Sequence, residues 1–301
     1  MNPAIEILRL HSYAGPNIYG PHAGVLLRIR HSRDAAQDLR EQIRDAAQMV
    51  GLVIAYLETE AHPYDSGFLL QARFNTNQPT IGAALCRIVV DALRLDVTDT
   101  DALVNLAEEC RQATLSAAAV QLLAEARRRG MPTLIRPDGK LQLGYASRHW
   151  VCDPQAATIP LPPWERIGSI PITLVTGHDL RSSLVEHSAA PFHEAGMPIY
   201  SADGLDCSAL RDLLCDPSIE ALVVGLDTES IVQYGLPLDR CEQAVIGDMG
   251  GPRPPSADSD AEWLRAIGLP MLLSHNPARF NLGDARLHAL IHYAPNGVVN
   301  L

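Results

Sequence analysis

The chain has 301 residues, 47% of them apolar, which is enough to bury a substantial core and fits about two domains of roughly 150 residues each. Its formal charge of -11 argues against nucleic acid, where affinity rests on neutralising phosphates, and against an anionic membrane surface. The six cysteines form no C-x-x-C pair, no uncharged apolar run approaches the ~18 residues that span a bilayer, and MNPAIEILRL lacks the basic and apolar regions of a signal peptide, so a cytoplasmic protein with no structural metal is expected.

In chain order, residues 4–10 and 24–30 read as strands, separated by the turn signal Gly15-Pro16-Asn17. Asp34 to Met49 has helical spacing, with Leu39, Ile43 and Ala46-Ala47 on one face. Val50 to Leu57 reads as a buried strand, Gly67–Leu70 opens another strand or a helix, and Thr80 to Leu93 is a helix. These elements predict one α/β domain over residues 1–109. Residues 114–130 form a further helix, capped by Thr114 or Ser116 and ended by Gly130, with Arg127-Arg-Arg129 complementing its dipole. A strand over 132–135, a turn at Pro137-Asp138-Gly139 and a strand over 141–143 follow. The four prolines of residues 153–168, in a stretch without period, predict a linker.

From residue 169 the pattern alternates. Strands are expected at 172–176, 198–200, 221–225, 243–246 and 271–273, and helices near 180–195, 208–215 and 259–267, the last with a capping box from Ser259 to Glu262. Such alternation implies a doubly wound, mostly parallel sheet. A closing hairpin is expected over residues 287–301, around Ala294-Pro-Asn-Gly297.

Within this half, Thr173-Leu-Val-Thr-Gly177-His-Asp-Leu-Arg-Ser-Ser183 has the layout of a strand, a phosphate-binding loop and a helix. A working P-loop ends in Gly-Lys-Ser/Thr: glycines let amides face the phosphates, the lysine reaches the terminal phosphates and the hydroxyl holds Mg²⁺. Here Leu180 stands where the second glycine belongs and Arg181 where the lysine belongs, so Gly177, His178, Asp179, Leu180, Arg181, Ser182 and Ser183 read as a degenerate nucleotide-binding loop. The only lysine in the chain is Lys140. Asp179 is expected to cap the helix that follows. His288 and His292 fall on one side of a presumed strand with no third ligand near in sequence, so no metal site is expected there. Asp203, Asp206, Asp258 and Asp260 read as turn and helix-start residues.

Several blocks resemble cyanophycin synthetase, a multidomain amide ligase. Gly15-Pro-Asn-Ile-Tyr19 is similar to the turn after that family's first strand, and Ser66-Gly-Phe68 to its Gly-Gly-Phe segment. Ala126-Arg-Arg-Arg-Gly-Met-Pro132 and Lys140-Leu-Gln-Leu-Gly-Tyr145 resemble the helix and Leu-Gly-Tyr segment that open its ATP-grasp module. Val175-Thr-Gly-His-Asp-Leu-Arg-Ser-Ser183 and Gly235-Leu-Pro-Leu-Asp-Arg-Cys-Glu242 resemble the phosphate loop and the Asp-Arg-Cys segment of its Mur-ligase-like domain. The resemblance implies an N-terminal synthetase-like domain (1–109), a remnant of the segment that opens the ATP-grasp module (110–152), the proline linker (153–168) and a degenerate P-loop-type, Mur-ligase-like central domain (169–301). The ATP-grasp module itself has no room between Tyr145 and Ile170.

Carried over position by position, the family's metal-binding Glu falls on Gly225, its Arg-Gly-Gly on Thr228-Glu-Ser230, its Asp-His on Pro252-Arg253 and its loop lysine on Arg181. Losing the carboxylate removes a hard oxygen ligand for Mg²⁺. The resemblance therefore implies a pseudoenzyme with no catalytic residues and no cofactor. It would be a homo-oligomer acting as a binding, assembly or regulatory partner of full-length synthetase or of the Asp/Arg polymer. The alternative is an ATP- and Mg²⁺-dependent amide ligase using Arg181, Ser182 and the displaced carboxylate Asp227.

Overall fold

The computed structural model describes residues 5–65 and 67–301; Ala4, expected to begin the first strand, and Ser66 of the Ser-Gly-Phe block lie outside them. The chain forms two compact units. The first comprises the residues before Pro16 together with Pro21–Thr114, and the second Pro16–Gly20 together with Leu115–Leu301.

In the first unit, β1 (Glu6–Tyr13), β2 (Gly24–His31), α1 (Ala36–Val50), β3 (Ala55–Tyr64), β4 (Gly67–Asn75), α2 (Pro79–Leu95) and α3 (Thr100–Ala113) follow in sequence. The strands form an antiparallel sheet in the order β1-β2-β4-β3. Its alternating residues Leu27, Ile29, Leu70 and Ala72 bury one face against Leu39 and Ile43 of α1, Leu85 and Val89 of α2 and Leu106 of α3. The buried strand expected at 50–57 is corrected. Val50 closes α1, and the strand begins at Ala55 as an edge, where half of its surroundings are solvent and most of its residues are exposed. α3 carries the unit past the expected boundary at 109, because Asp99 caps it by accepting from the Ala102 amide and Leu103, Leu106 and Cys110 face the core.

The second unit opens with α4 (Ala117–Arg128), whose cap is Ser116: its hydroxyl accepts from the Ala119 amide at 3.2 Å. β5 (Thr133–Ile135), β6 (Leu141–Leu143) and β7 (Trp150–Cys152) make a small antiparallel sheet. Residues 153–168 are not a free linker. Proline keeps them out of helices and strands, but Ile159, Trp164 and Ile167 pack on Leu122, Ala126 and Leu141.

Next come β8 (Ile172–Thr176), α5 (Arg181–Glu194), β9 (Tyr200–Leu205), α6 (Cys207–Cys215), β10 (Leu222–Leu226), α7 (Thr228–Tyr234), β11 (Gln243–Ile246), α8 (Asp260–Leu273), β12 (Ala278–Phe280) and β13 (Val298–Asn300). These six strands form a wholly parallel sheet in the order β13-β12-β11-β8-β10-β9. Helices cover both faces. Val185 and Ala189 of α5 meet Val175, Val223 and Val245 on one face, while Leu210 of α6, Ile231 of α7 and Ile267 of α8 pack on Leu174, Val224 and Ile246 on the other. The α/β class and the doubly wound parallel sheet are as the alternation implied.

Three expected elements differ. The strand at 271–273 is the last turn of α8, since the capping box launches a helix whose apolar residues from Ala266 to Met271 are buried nearly all round. The strand at 198–200 starts at Tyr200 and continues through Asp203, which is thus a strand residue and not part of a turn. The closing hairpin is a 3₁₀ helix (Ala285–Tyr293) followed by β13, paired in parallel with β12.

Within this unit three of the blocks quoted above, through Pro16, Gly130 and Tyr145, meet residues 235–241. The Leu236 amide donates to the Pro16 carbonyl at 2.7 Å. The buried Tyr145 hydroxyl donates to Asp239 Oδ1 at 3.0 Å and accepts from the Asp239 amide at 3.1 Å. Arg240 donates to the Gly130 carbonyl, and Tyr19 donates to Glu262 Oε1 at 2.9 Å. Gly235 allows this approach: its φ is +67°, and a β-carbon there would lie 2.5 Å from the Pro16 carbonyl oxygen. Gly235→Ala should therefore cost about 3 kcal/mol, measured by urea unfolding; a loss under about 0.5 kcal/mol would show that the junction relaxes freely.

Candidate functional site

In open α/β sheets, ligands bind outside the carboxyl ends of the strands where the strand order reverses. Here that point lies between β8 and β11, because the chain goes from β8 to the edge strand β9 and returns through β10 on one side, then crosses to β11 and continues outward through β12 and β13 on the other. The loop after β8 and the loop after β11 meet there.

β8 is wholly buried and ends at Thr176, whose hydroxyl donates to the Ile267 carbonyl at 2.6 Å. Gly177 follows at φ +130°, and a β-carbon there would sit 2.9 Å from the Asp248 amide nitrogen and 3.2 Å from Asp248 Oδ2. The next three amides point one way. His178 and Asp179 donate to Asp248 Oδ1 at 3.3 and 3.1 Å, and Leu180 donates to Asp248 Oδ2 at 2.8 Å. The Gly250 amide adds a fourth bond, 2.7 Å to Oδ1. Successive loop amides at the head of a helix are the geometry that receives anions, with the helix dipole adding positive potential. In this protein the anion is the chain's own carboxylate, only 7% exposed. Burial pushes the Asp248 pKa up, but the four amide donors together outweigh it and hold the carboxyl below its ordinary range.

This arrangement corrects the expected role of Asp179. It does not cap α5; its Oδ1 lies 2.8 Å from His178 Nδ1, and Asp248 takes the loop amides instead. Asp248 was not singled out from the sequence. The available signal was its place directly after Gly247 at the end of an apolar strand, at the switch point of an alternating fold.

Arg181, in the lysine position, is turned away from the loop. Its Nε donates to Asp203 Oδ1 at 2.5 Å and its guanidinium to the Leu226 carbonyl at 3.2 Å. The pair lies over Gly225, where a β-carbon would stand 2.2 Å from Asp203 Oδ1 and 3.1 Å from Arg181 Cγ. A glutamate at 225 has no space while that pair exists. Asp227 caps α7, accepting from the Ser230 amide at 3.0 Å. Arg253 reaches Asp260 at 3.2 Å. Ser182 is exposed, and Ser183 donates back to the Leu180 carbonyl at 2.9 Å. Gly177, Arg181, Asp227, Asp248, Arg253 and Trp263 are thus brought around one cleft, of about 180 Å³. Sites for drug-sized ligands run to roughly 300–1,000 Å³. His288 lies in the 3₁₀ helix, not in a strand, with Nε2 2.9 Å from the Leu282 carbonyl oxygen.

The residues present do not fit a nucleotide with Mg²⁺. The loop amides are occupied, the guanidinium is engaged elsewhere, and the position for a metal-binding carboxylate is closed.

The loop after β11 is held from its other side as well. The Met249 amide donates to Asp284 Oδ2 at 3.0 Å, and Asp284 also accepts from the Arg286 guanidinium at 2.8 and 2.9 Å. The Arg286 hydrogen bonds, foremost, with the Met249 amide, draw the Asp284 carboxyl down to about 2.

Fold and site together define an open parallel-sheet α/β protein whose anion cradle is filled from within. The chain belongs to the family described as domain of unknown function (DUF4938), whose sequence model matches residues 4–301. No curated protein matches it.

A folded carboxyl titrating below its unfolded value stabilises above the unfolded pKa and loses that contribution as pH falls through the folded one. Asp284→Asn should therefore melt below the native protein above about pH 5, with the gap narrowing as pH falls from about 4 and closing near about pH 2. A gap constant across that range, in melting curves followed by circular dichroism, would exclude the ionised carboxylate as its source.

Proposed function

We propose that this protein is a non-catalytic homologue of cyanophycin synthetase, a cytoplasmic homo-oligomer that acts as a binding, assembly or regulatory partner in the metabolism of the Asp/Arg polymer. The observation that carries the non-catalytic part is the Asp248 carboxylate seated on the amides of His178, Asp179 and Leu180. A triphosphate entering this loop would have to displace a bound anion and overcome its negative charge. The kinship rests on the quoted blocks, and the meeting of three of them, through Pro16, Gly130 and Tyr145, with residues 235–241 supports reading those as one inherited unit. The net charge of -11 suits a partner rich in arginine. Six cysteines without a disulfide suit a reducing compartment, and among the described residues no helix is long and apolar enough to cross a membrane.

The ligase alternative requires Arg181 to leave Asp203, Asp227 to leave its cap and Asp248 to leave the loop, three separate losses of hydrogen bonding for one site. Calorimetric titration with Mg-ATP at millimolar concentration should give no heat, and the melting temperature should not move. Saturable Mg-ATP binding would restore the ligase reading. Co-sedimentation with insoluble Asp/Arg polymer, or co-elution with a full-length synthetase, is expected; failure of both removes the partner reading.

A further inference from the structure

We infer that Asp248 is a resident pseudo-ligand: its carboxylate fills an oxyanion cradle that the loop after β8 still builds, and it both stabilises that loop and keeps small oxyanions out. The cradle itself is intact. Three consecutive amides converge within 3.3 Å of one carboxylate at the head of the 14-residue helix α5, and Gly177 keeps the left-handed φ that lets the loop approach closely.

What has changed is the source of the anion. The close approach at Gly177 is now made to Asp248, both to its amide and to its carboxylate. Gly250 is fitted to the same group: a β-carbon there would lie 2.5 Å from Asp248 Oδ1 and 2.6 Å from Asp179 Oδ2. Asp284 pins the neighbouring Met249 amide, so the plug is fastened on the side away from the loop as well. A carboxylate held this way has a high effective concentration at its amides, which free anions at ordinary concentrations cannot match.

Deleting only the carboxylate should then leave the four amides without their present acceptor and a space of carboxylate size beside a helix N-terminus. The ligand class for that space is a small oxyanion, either a carboxylate such as formate or acetate, or inorganic phosphate. This inference goes beyond the partner reading and survives its failure, since it concerns the loop and not the biological partner.

The test is anion rescue of Asp248→Ala. Melting temperatures of the full-length native protein and the variant are measured in sodium chloride, formate, acetate and phosphate at matched ionic strength. The native protein's response to the four salts gives the nonspecific baseline, since phosphate strengthens apolar burial in any folded protein, and rescue is read as the recovery beyond it. The variant should melt several degrees lower in chloride and regain at least half of that loss in formate or phosphate, with saturation. Formate and acetate rescuing where phosphate does not would assign the cradle to carboxylates; the reverse would assign it to phosphate. Asp248→Asn, which keeps the space filled, should be destabilised without any rescue. If Asp248→Ala fails to fold in chloride, its refolding yield in formate or phosphate against chloride gives the same reading. No anion-specific recovery in the alanine variant, or equal stabilisation of the native protein by formate or phosphate, overturns the inference.

Discussion

The geometry at the carboxyl ends of the parallel strands depends on one electrostatic contact, a buried carboxylate bound by four backbone amides. Asp248 ties the loop after β8 to the loop after β11, the two segments that flank the switch point of the sheet. Backbone donors near an apolar sheet must find acceptors or lose more than a hydrogen bond is worth. Where a phosphate-binding protein borrows that acceptor from a ligand, this chain carries it as a side chain. The loop amides are thus satisfied from within the chain.

A second contact lies beside the first. Arg181 turns to Asp203 and the Leu226 carbonyl. That pair then occupies the space over Gly225, so glycine is the residue the position can hold. Arg181, Asp203 and Gly225 are therefore one packing solution. Asp227 likewise serves the backbone, as the cap of α7.

Away from this edge, the unit is organised around residues 235–241. The connection from α7 to β11 gathers the Pro16 carbonyl, the Tyr145 hydroxyl and the Gly130 carbonyl from three distant parts of the sequence. Pro16 and Asn17 of the Gly-Pro-Asn turn, which the sequence places inside the first domain, thus belong to the compact unit built mainly from residues from 115 onward. The proline-rich segment belongs there too, held by Ile159, Trp164 and Ile167. Local composition reports the lack of regular structure in such a segment and not whether apolar side chains within it find a surface.

The sequence by itself determined the α/β class, the central strands β8, β10 and β11 and most of the helices. Each of these is written in local periodicity and in caps such as Ser116 and Ser259. Tertiary structure alone decided that α8 runs on through Leu273, that β3 is an exposed edge, that Asp179 is not a cap and that Asp248 is the anion of the loop. The physical reason is range. A cap or an amphipathic stripe is made by residues three or four apart, whereas Asp248 meets the amides of His178, Asp179 and Leu180 across 68–70 positions, and only the pairing of β8 with β11 brings those groups together.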